Sequence, residues 1–221
     1  MTSQSRKYII SLYNLSQLLS WIYILILLFL NLSQGNITVL TDANLFKTLK
    51  LVQELQYLDV FFALIGLSST KVIPSFVQVT ARNVVVWWAF PFALKSHFAL
   101  LAMVCWCFAE IIRYSTYIND SFALGLNWLK ILRYNAFILL YPAGVTGEFL
   151  SARDAKDHLT SEKMDPNLQL FGFDLHVSTI AFLKGFMLII YPGLAVLYSH
   201  MLKLRKRFYQ KEKSKQKPKK A

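Results

Sequence analysis

Two residues of the segment LLYPAGVTGE, Tyr141 and Glu148, have the types and spacing for proton-transfer chemistry. Seven helical residues amount to nearly two turns, so both side chains project from one face, about 10.5 Å apart along the axis. A phenol and a carboxyl at that separation could flank a small reacting group, one giving a proton and the other taking one. The alternative is structural: a tyrosine hydrogen-bonded at a membrane interface and a glutamate at the end of a span.

The composition places this segment in a membrane protein. The chain has 221 residues, of which 55% are hydrophobic and only 16% charged, well below the charged fraction of about 25% in soluble domains. Runs such as WIYILILLFL, at 21–30, are too apolar for a soluble surface. The two cysteines, Cys105 and Cys107, are too few and too close together for a disulfide framework. We therefore expect an integral membrane protein in the lipid bilayer.

The net charge of +12 is concentrated at one end of the chain. Ten of the 24 basic residues lie in 203–221, directly after an apolar segment. A basic cluster in that position marks the cytosolic side of a membrane protein and contacts anionic lipid, so no nucleic-acid partner is expected. We divide the chain into a membrane domain, 1–202, and a basic cytosolic tail, 203–221.

The membrane domain is predicted to be an all-α bundle of six transmembrane helices with both termini in the cytosol. The segments long and apolar enough for a span are 12–32, 51–73, 76–94, 98–118, 128–150 and 177–198. With a cytosolic N-terminus, seventeen basic residues lie on the cytosolic side and six on the other. Lysines at the third and fifth positions from the end match a dilysine retrieval signal of the endoplasmic reticulum, although a lysine-rich tail also produces that match by chance.

Ionisable residues within spans are costly, so each usually has a partner or a function. Glu110 and Arg113 stand three apart and are predicted to pair on one helix face, either for function or simply to neutralise each other. Cys107 and Arg113 have the Cys-x5-Arg spacing of tyrosine phosphatases, but bulky helix formers separate them and no phosphate-binding loop can form. The other candidates are Glu54, Asp59, Arg82, Arg133, Glu148 and Lys184.

The chain resembles the very-long-chain 3-hydroxyacyl-CoA dehydratases, also called protein tyrosine phosphatase-like or PASTICCINO2-type proteins. The resemblance covers most of the chain, including SLYNLSQLLSW at 11–21, the segment 53–82 and SHF at 96–98. Its most specific pieces are WCFAEIIRY, at 106–114, and LRYNAFILLYPAGVTGE, at 132–148. The second is similar to the family signature Arg-Tyr…Leu-Tyr-Pro-x-Gly-x-x-x-Glu.

The resemblance implies six spans in the endoplasmic reticulum membrane and the third step of fatty-acid elongation. In that step a (3R)-3-hydroxyacyl-CoA loses water to give the trans-2-enoyl-CoA, and neither a cofactor nor a metal is implied. The family's catalytic tyrosine and glutamate correspond to Tyr141 and Glu148. Its partners are the elongase condensing enzyme and reductases. The implied substrate-binding positions are Glu54, Gln78, Arg82, Glu110, Arg113, Arg133 and Gly144.

Two departures from the family pattern concern how the site is built. Gly147 stands where many members have serine, and the segment 149–167 is more charged than usual. We expect Pro142, Gly144 and Gly147 to loosen the helix and to let either another backbone or an acyl chain come close, which would make room for the substrate carbon that is dehydrated. The three arginines implied by the resemblance are expected to bind the CoA phosphates at the cytosolic mouth of an acyl-chain tunnel.

The residues alone leave the roles in the reaction open. Either Glu148 is the base and Tyr141 the acid, or the reverse, and a neutral tyrosine with a pKa of about 10 is a poor base. Two other functions also remain: a catalytically lapsed scaffold for elongase components, and a transporter, although the paired repeat of many transporters is missing.

Overall fold

The computed structural model describes residues 3–68, 70–170 and 173–216, most of which are helical. The seven α-helices are α1 (Ser3–Ser33), α2 (Ala43–Leu55), α3 (Tyr57–Leu64), α4 (Val72–Val84), α5 (His97–Phe122), α6 (Asn127–Ser161) and α7 (Thr179–Gln216). A π-helical turn, Val85–Ala89, and a 3-10 turn, Phe90–Phe92, prolong α4, and a further 3-10 turn is Val39–Thr41. Between α6 and α7 lies an antiparallel hairpin, β1 (Asn167–Leu170) and β2 (Phe173–Ser178), which the sequence analysis did not predict.

Among the described residues, three helices are long and apolar enough to cross a membrane: Gln4–Ser33, His97–Phe122 and Thr179–Gln210. They contain the predicted spans 12–32 and 98–118 and nearly all of 177–198. The predicted span 128–150 lies within α6, which continues to Ser161 into a strongly charged segment. The six-span topology with both termini in the cytosol therefore stays a prediction for the remaining segments. The proposed dilysine signal lies outside the described residues.

The predicted span 51–73 is not one continuous helix. It is divided at Gln56 between α2 and α3, and the helical part ends at Leu64. Gly66 follows with φ +65°, a backbone conformation that glycine adopts without a steric penalty. The predicted span 76–94 is also irregular, because Pro91 has no N–H for an α-helical hydrogen bond and lies in the 3-10 turn.

Side-chain contacts gather the ends of the helices into two groups. At one end, Arg6 Nε of α1 donates to Leu67 O at 3.2 Å, and Lys7 Nζ lies 5.8 Å from the centre of the Phe122 ring. At the opposite end of α5, Ser96 Oγ, directly before the helix, donates to Asp154 Oδ2 of α6 at 2.7 Å. The N-terminus of α1, the turn after α3 and the end of α5 thus share one end of the bundle.

Asp42 begins α2 at the second end. Its carboxylate accepts from the backbone N–H groups of Asn44 at 2.9 Å and Leu45 at 3.2 Å, which is an N-cap. The side-chain amide of Asn31, at the end of α1, donates to the same carboxylate at 2.8 Å and lowers the pKa of Asp42 below its ordinary value. The cap therefore also joins α1 to α2.

Helix α5 lies between α1 and α6 and forms the centre of the core. Its side chains Trp106 and Tyr114 are fully buried, and Trp21 and Leu28 of α1 pack into the same cluster. The outer surfaces of α1 and α7 carry exposed large apolar side chains, as expected of faces in contact with lipid. This arrangement leaves the inner faces of α4 to α7 to form a site.

Candidate active site

A cavity of about 300 Å³ lies among α4, α5, α6 and α7. One face of α6 supplies a continuous stripe of its lining, with Arg133, Tyr141, Gly144 and Glu148 on that stripe. Arg133 and Glu148 are fifteen residues apart, about 22 Å along a helix. The cavity therefore runs from the beginning of α6 to its middle, and Tyr141 lies between its two ends.

Glu148 lies at the inner end of the cavity and is 5% exposed. Its Oε1 accepts a hydrogen bond of 2.7 Å from the indole Nε1 of Trp106 on α5. The Trp106 ring is stacked on Phe90 with the ring centres 5.8 Å apart. The guanidinium carbon of Arg82 lies 5.5 Å from the centre of the same indole ring. The Trp106 indole that donates to Glu148 is thus itself in contact with the Phe90 ring and the Arg82 guanidinium.

Tyr141 is held by α7. Its hydroxyl donates a hydrogen bond of 2.7 Å to the backbone carbonyl of Leu194, and its ring stacks on Tyr198 with the centres 5.4 Å apart. The Leu194 side chain also lines the cavity. The two predicted catalytic side chains therefore meet one cavity from one helix, each oriented by a different neighbouring helix. A hydroxyl and a carboxyl so arranged can serve as a general acid and a general base.

Buried ion pairs form one wall of the cavity. Arg82 of α4 donates to Glu110 Oε1, and Arg113 donates to Asp59 of α3. Arg113 Nε also lies 3.1 Å from Glu110 Oε2, so the predicted pair on α5 is confirmed as an ion pair, although its N–H is not aligned for a hydrogen bond. Tyr114 donates to the same Asp59 carboxylate at 2.9 Å. Two cations and two anions thus balance one another and connect α3, α4 and α5.

The basic side chains at the outer end of the cavity differ from Arg82 and Arg113 in their partners. Arg133 lies against Tyr117, with its guanidinium carbon 4.8 Å from the ring centre and Nη2 donating to the hydroxyl at 3.3 Å. Lys71, before α4, and His200, on α7, line the same end. Within the part of the chain that the structure describes, none of these three cations or bases is paired with a carboxylate. This end can therefore receive an anion.

Most residues implied in substrate binding line this cavity, and one does not. Gln78, Arg82, Glu110, Arg113, Arg133 and Gly144 are all in its lining. Glu54 lies on an exposed face of α2 and outside the lining. A side chain on the outer face of α2 cannot turn through the bundle, so the cavity gives its predicted role no support.

Of the two expected roles of Gly147, the structure shows the close approach of another backbone and not room for a substrate. A Cβ at this position would lie 2.7 Å from the backbone N of Ala102 and 2.9 Å from the carbonyl O of Phe98. The space at Gly147 is therefore occupied by the backbone of α5. Pro142 is exposed on the outer face of α6, which leaves Gly144 as the one member of the predicted set that lines the cavity.

Trp106, Lys71 and His200 belong to this region without having been predicted from the sequence, and Asp59 was a candidate without a predicted partner. Trp106 had a detectable signal, since it stands four residues before Glu110 and seven before Arg113, on the same helix face. The sequence carried no signal for the contact between Arg113 and Asp59, because Asp59 belongs to a different helix. Lys184, unexplained by sequence, lies near enough to Asp165 at the hairpin for their charges to interact.

The Cys-x5-Arg segment is part of α5, and its Cys107 is fully buried in the core. Arg113 at its other end is held by the two carboxylates described above. Across the described ranges, no group of three or more His, Cys, Asp or Glu side chains could hold a metal ion.

Comparison with known proteins gives a consistent result. The sequence model of the family described as "Protein tyrosine phosphatase-like protein, PTPLA" matches residues 53–211. The very-long-chain (3R)-3-hydroxyacyl-CoA dehydratase PASTICCINO 2 of Arabidopsis thaliana is 32% identical over 217 residues, covering 94% of this chain and 96% of the relative. The dehydratase hpo-8 of Caenorhabditis elegans is 32% identical over 212 residues, covering 88% and 91%. No solved structure matches the chain.

Proposed function

The chain belongs to the protein tyrosine phosphatase-like protein family, and we propose that it is a very-long-chain (3R)-3-hydroxyacyl-CoA dehydratase. This hydro-lyase carries out the third step of fatty-acid elongation in the endoplasmic reticulum membrane. The observation that carries the proposal is the convergence of Tyr141 and Glu148 on one cavity. Relatives that cover nearly the whole chain bear this enzyme name.

In the proposed reaction, Glu148 is the base and Tyr141 the acid. The carboxylate removes the proton from C2 of the substrate, and the electron pair forms the C2–C3 double bond. The C3 hydroxyl leaves with the proton of Tyr141 as water. The proton taken by Glu148 then passes to the Tyr141 oxygen, which restores both groups for the next turnover.

The neighbours of the two side chains support this assignment of roles. The Trp106 N–H donates to Glu148 and the Arg82 guanidinium lies against the same indole ring, and both favour a carboxylate at Glu148, whereas its burial favours the neutral form. Tyr141 carries its proton in a hydrogen bond to the Leu194 carbonyl, from which a substrate hydroxyl can divert it. A neutral phenol next to an ionised carboxylate is the arrangement that an acid and a base require.

The CoA phosphates are proposed to bind at the outer end of the cavity, on Arg133 together with Lys71. The guanidinium of Arg133 has no carboxylate partner among the described residues, and a guanidinium binds phosphate through paired N–H donors. Arg82 and Arg113 are already engaged by Glu110 and Asp59, and we assign them to shaping the cavity wall. The acyl chain continues from the cavity along apolar helix faces.

The test is turnover by the purified protein in lipid vesicles with a (3R)-3-hydroxyacyl-CoA as substrate. We expect conversion to the trans-2-enoyl-CoA, together with a fall in kcat of about a hundredfold to ten-thousandfold in Tyr141→Phe and Glu148→Gln. The matched controls are Tyr23→Phe and Glu162→Gln, both exposed and away from the cavity. They should keep the activity of the unmodified protein.

Unmodified protein that folds but gives no enoyl-CoA with any acyl length would overturn the enzyme assignment. In that case a scaffold role would be favoured, and binding to the elongase condensing enzyme and reductases should survive in the Tyr141→Phe variant. Binding of the hydroxyacyl-CoA should weaken as salt rises, because screening reduces the attraction between Arg133 and phosphate. Binding that does not change with salt would contradict the proposed phosphate site.

A further inference from the structure

Trp106 is the side chain that donates directly to Glu148, and its place in the proposed reaction has so far been only to stabilise a carboxylate there. Its Nε1 donates to Glu148 Oε1 at 2.7 Å, and both side chains are buried. An indole N–H is a donor only, so the Oε1 atom must act as the acceptor in this contact. The carbonyl oxygen of a neutral carboxyl is a better acceptor than its hydroxyl oxygen, so this contact favours Oε2 as the oxygen that carries the proton whenever Glu148 is neutral.

The second oxygen is in a different position. Within the described parts of the chain, Oε2 has no hydrogen-bond partner. Unlike the unpartnered polar atoms that are completely buried, Oε2 keeps some accessible surface. Glu148 itself lines the cavity. Oε2 is thus the oxygen that a substrate in the cavity can reach, while Oε1 is occupied on the protein side.

The indole cannot easily leave this position. Trp106 is 1% exposed, with Phe90 stacked on one side at an angle of 24° between the rings. The Arg82 guanidinium approaches the ring, and Arg82 is itself tied to Glu110. Directly before Glu148, Gly147 brings α6 against the backbone of α5, which sets the distance between the two helices that carry Glu148 and Trp106.

We infer that Trp106 is a positioning residue, which holds Oε1 so that Oε2 of Glu148 is the atom that exchanges a proton with the substrate. This inference rests on the proposed function, but it holds whether Glu148 begins the cycle as the base or as the acid. The terminal torsion of a glutamate is broad, with no sharply preferred angle. Without the indole N–H the carboxyl would rotate freely, and a misplacement of about 1 Å can lower a rate about a hundredfold.

The cleanest test removes only the N–H. Benzothienylalanine at position 106 has the shape of tryptophan with sulfur in place of the N–H, and Trp106→Phe is a coarser second variant. We expect kcat with a (3R)-3-hydroxyacyl-CoA to fall about tenfold to a hundredfold in both, while KM changes less than about threefold. A fluorinated tryptophan that keeps the N–H should restore kcat, and Trp128→Phe, at an exposed position of α6, is the matched control.

The outcomes separate the inference from the proposed function. If the unmodified protein turns over and the benzothienylalanine variant keeps kcat within twofold, the positioning role of Trp106 is overturned and the dehydratase assignment stands. Equal losses in the benzothienylalanine and the fluorinated variants would also overturn it, because both keep the ring shape and only one keeps the N–H. Unmodified protein without turnover would overturn the dehydratase assignment and the role of Trp106 with it.

Discussion

The contact between α5 and α6 has two halves that are built differently. In the half that includes Gly147, Ser151, Ala152 and Ala155, the residues of α6 are buried, and Gly147 lies against the backbone of Phe98 and Ala102 of α5. In the other half, Trp106, Glu110 and Arg113 of α5 face the α6 stripe that ends at Glu148, and the cavity lies there. We call the first the closed half and the second the open half.

The difference shows how one pair of helices can both pack tightly and hold a reactive site. In the closed half the side chains are small, so the backbones come into contact and dispersion forces act over the whole surface. Ser151 Oγ donates to the Gly147 carbonyl at 2.7 Å, so its hydroxyl is satisfied within its own helix. In the open half the long polar side chains keep the helices apart and satisfy one another. The packing of the closed half therefore fixes the geometry of the open half.

The largest effect on stability is expected from Glu110→Gln, which breaks the open half. Glu110 is the carboxylate shared by Arg82 and Arg113, and its loss leaves buried positive charge without compensation. Removing one partner of a buried pair costs about 3–5 kcal/mol. The midpoint of unfolding in mixed micelles should fall accordingly. The exposed Glu162→Gln serves as the control, and equal stability of the two variants would show that the ion pairs do not hold the bundle together.

A smaller loss is expected from Gly147→Ala, which breaks the closed half. The added methyl group would meet backbone atoms of α5 that cannot move aside, and overpacking of this kind costs about 1–3 kcal/mol. The matched variant is Gly144→Ala in the open half, where the added Cβ meets no backbone atom but only side-chain atoms, Cys105 Cβ at 3.3 Å and Trp106 Cδ1 at 4.0 Å. The free energy of unfolding should fall more at position 147. The opposite order would contradict the division into two halves.

Next in size is Arg133→Ala, which tests the outer end of the open half. Losing one charge-assisted contact with phosphate costs about 1.5 kcal/mol, which raises KM for the hydroxyacyl-CoA roughly tenfold. Because Arg133 lies far along α6 from Glu148, kcat should change little. A competitive assay with free CoA should show the same loss of affinity. A fall in kcat with unchanged KM would place Arg133 in the chemical step instead.

The smallest effect is expected from Glu54→Gln. This exposed residue lies outside the cavity, and surface substitutions usually change stability by less than about 0.5 kcal/mol. We expect kcat, KM and the unfolding midpoint to match those of the unmodified protein. A clear rise in KM would instead bring Glu54 back into substrate binding through a surface that the cavity does not include.

Local features of the site were predictable from the sequence because helical spacing alone decides them. Tyr141 and Glu148 share a face, and Glu110 pairs with Arg113, since residues three, four and seven apart are neighbours on a helix. The contacts of Arg82 with Glu110 and of Arg113 with Asp59 were not predictable. They join different helices, and a single sequence does not state which helices are neighbours.

Irregular backbone was the reason why two of the predicted spans do not match the helices of the structure. The span predicted at 51–73 is apolar throughout its centre, yet the helix is divided at Gln56 and ends before Gly66. Hydrophobicity measures only whether a segment avoids water, and it does not report where the hydrogen-bond ladder is interrupted. The boundaries of the third predicted span were affected by Pro91 in the same way.

The sequence by itself determined that this is a helical membrane protein with a phenol and a carboxyl on one face of one helix. Those properties depend on composition and on the helical repeat, both of which can be read along the chain. Only the tertiary structure decided that Trp106 holds Glu148, that Leu194 receives the Tyr141 hydroxyl and that Gly147 contacts another backbone. These contacts depend on how closely separate helices approach, and that distance follows from the packing of all their side chains together.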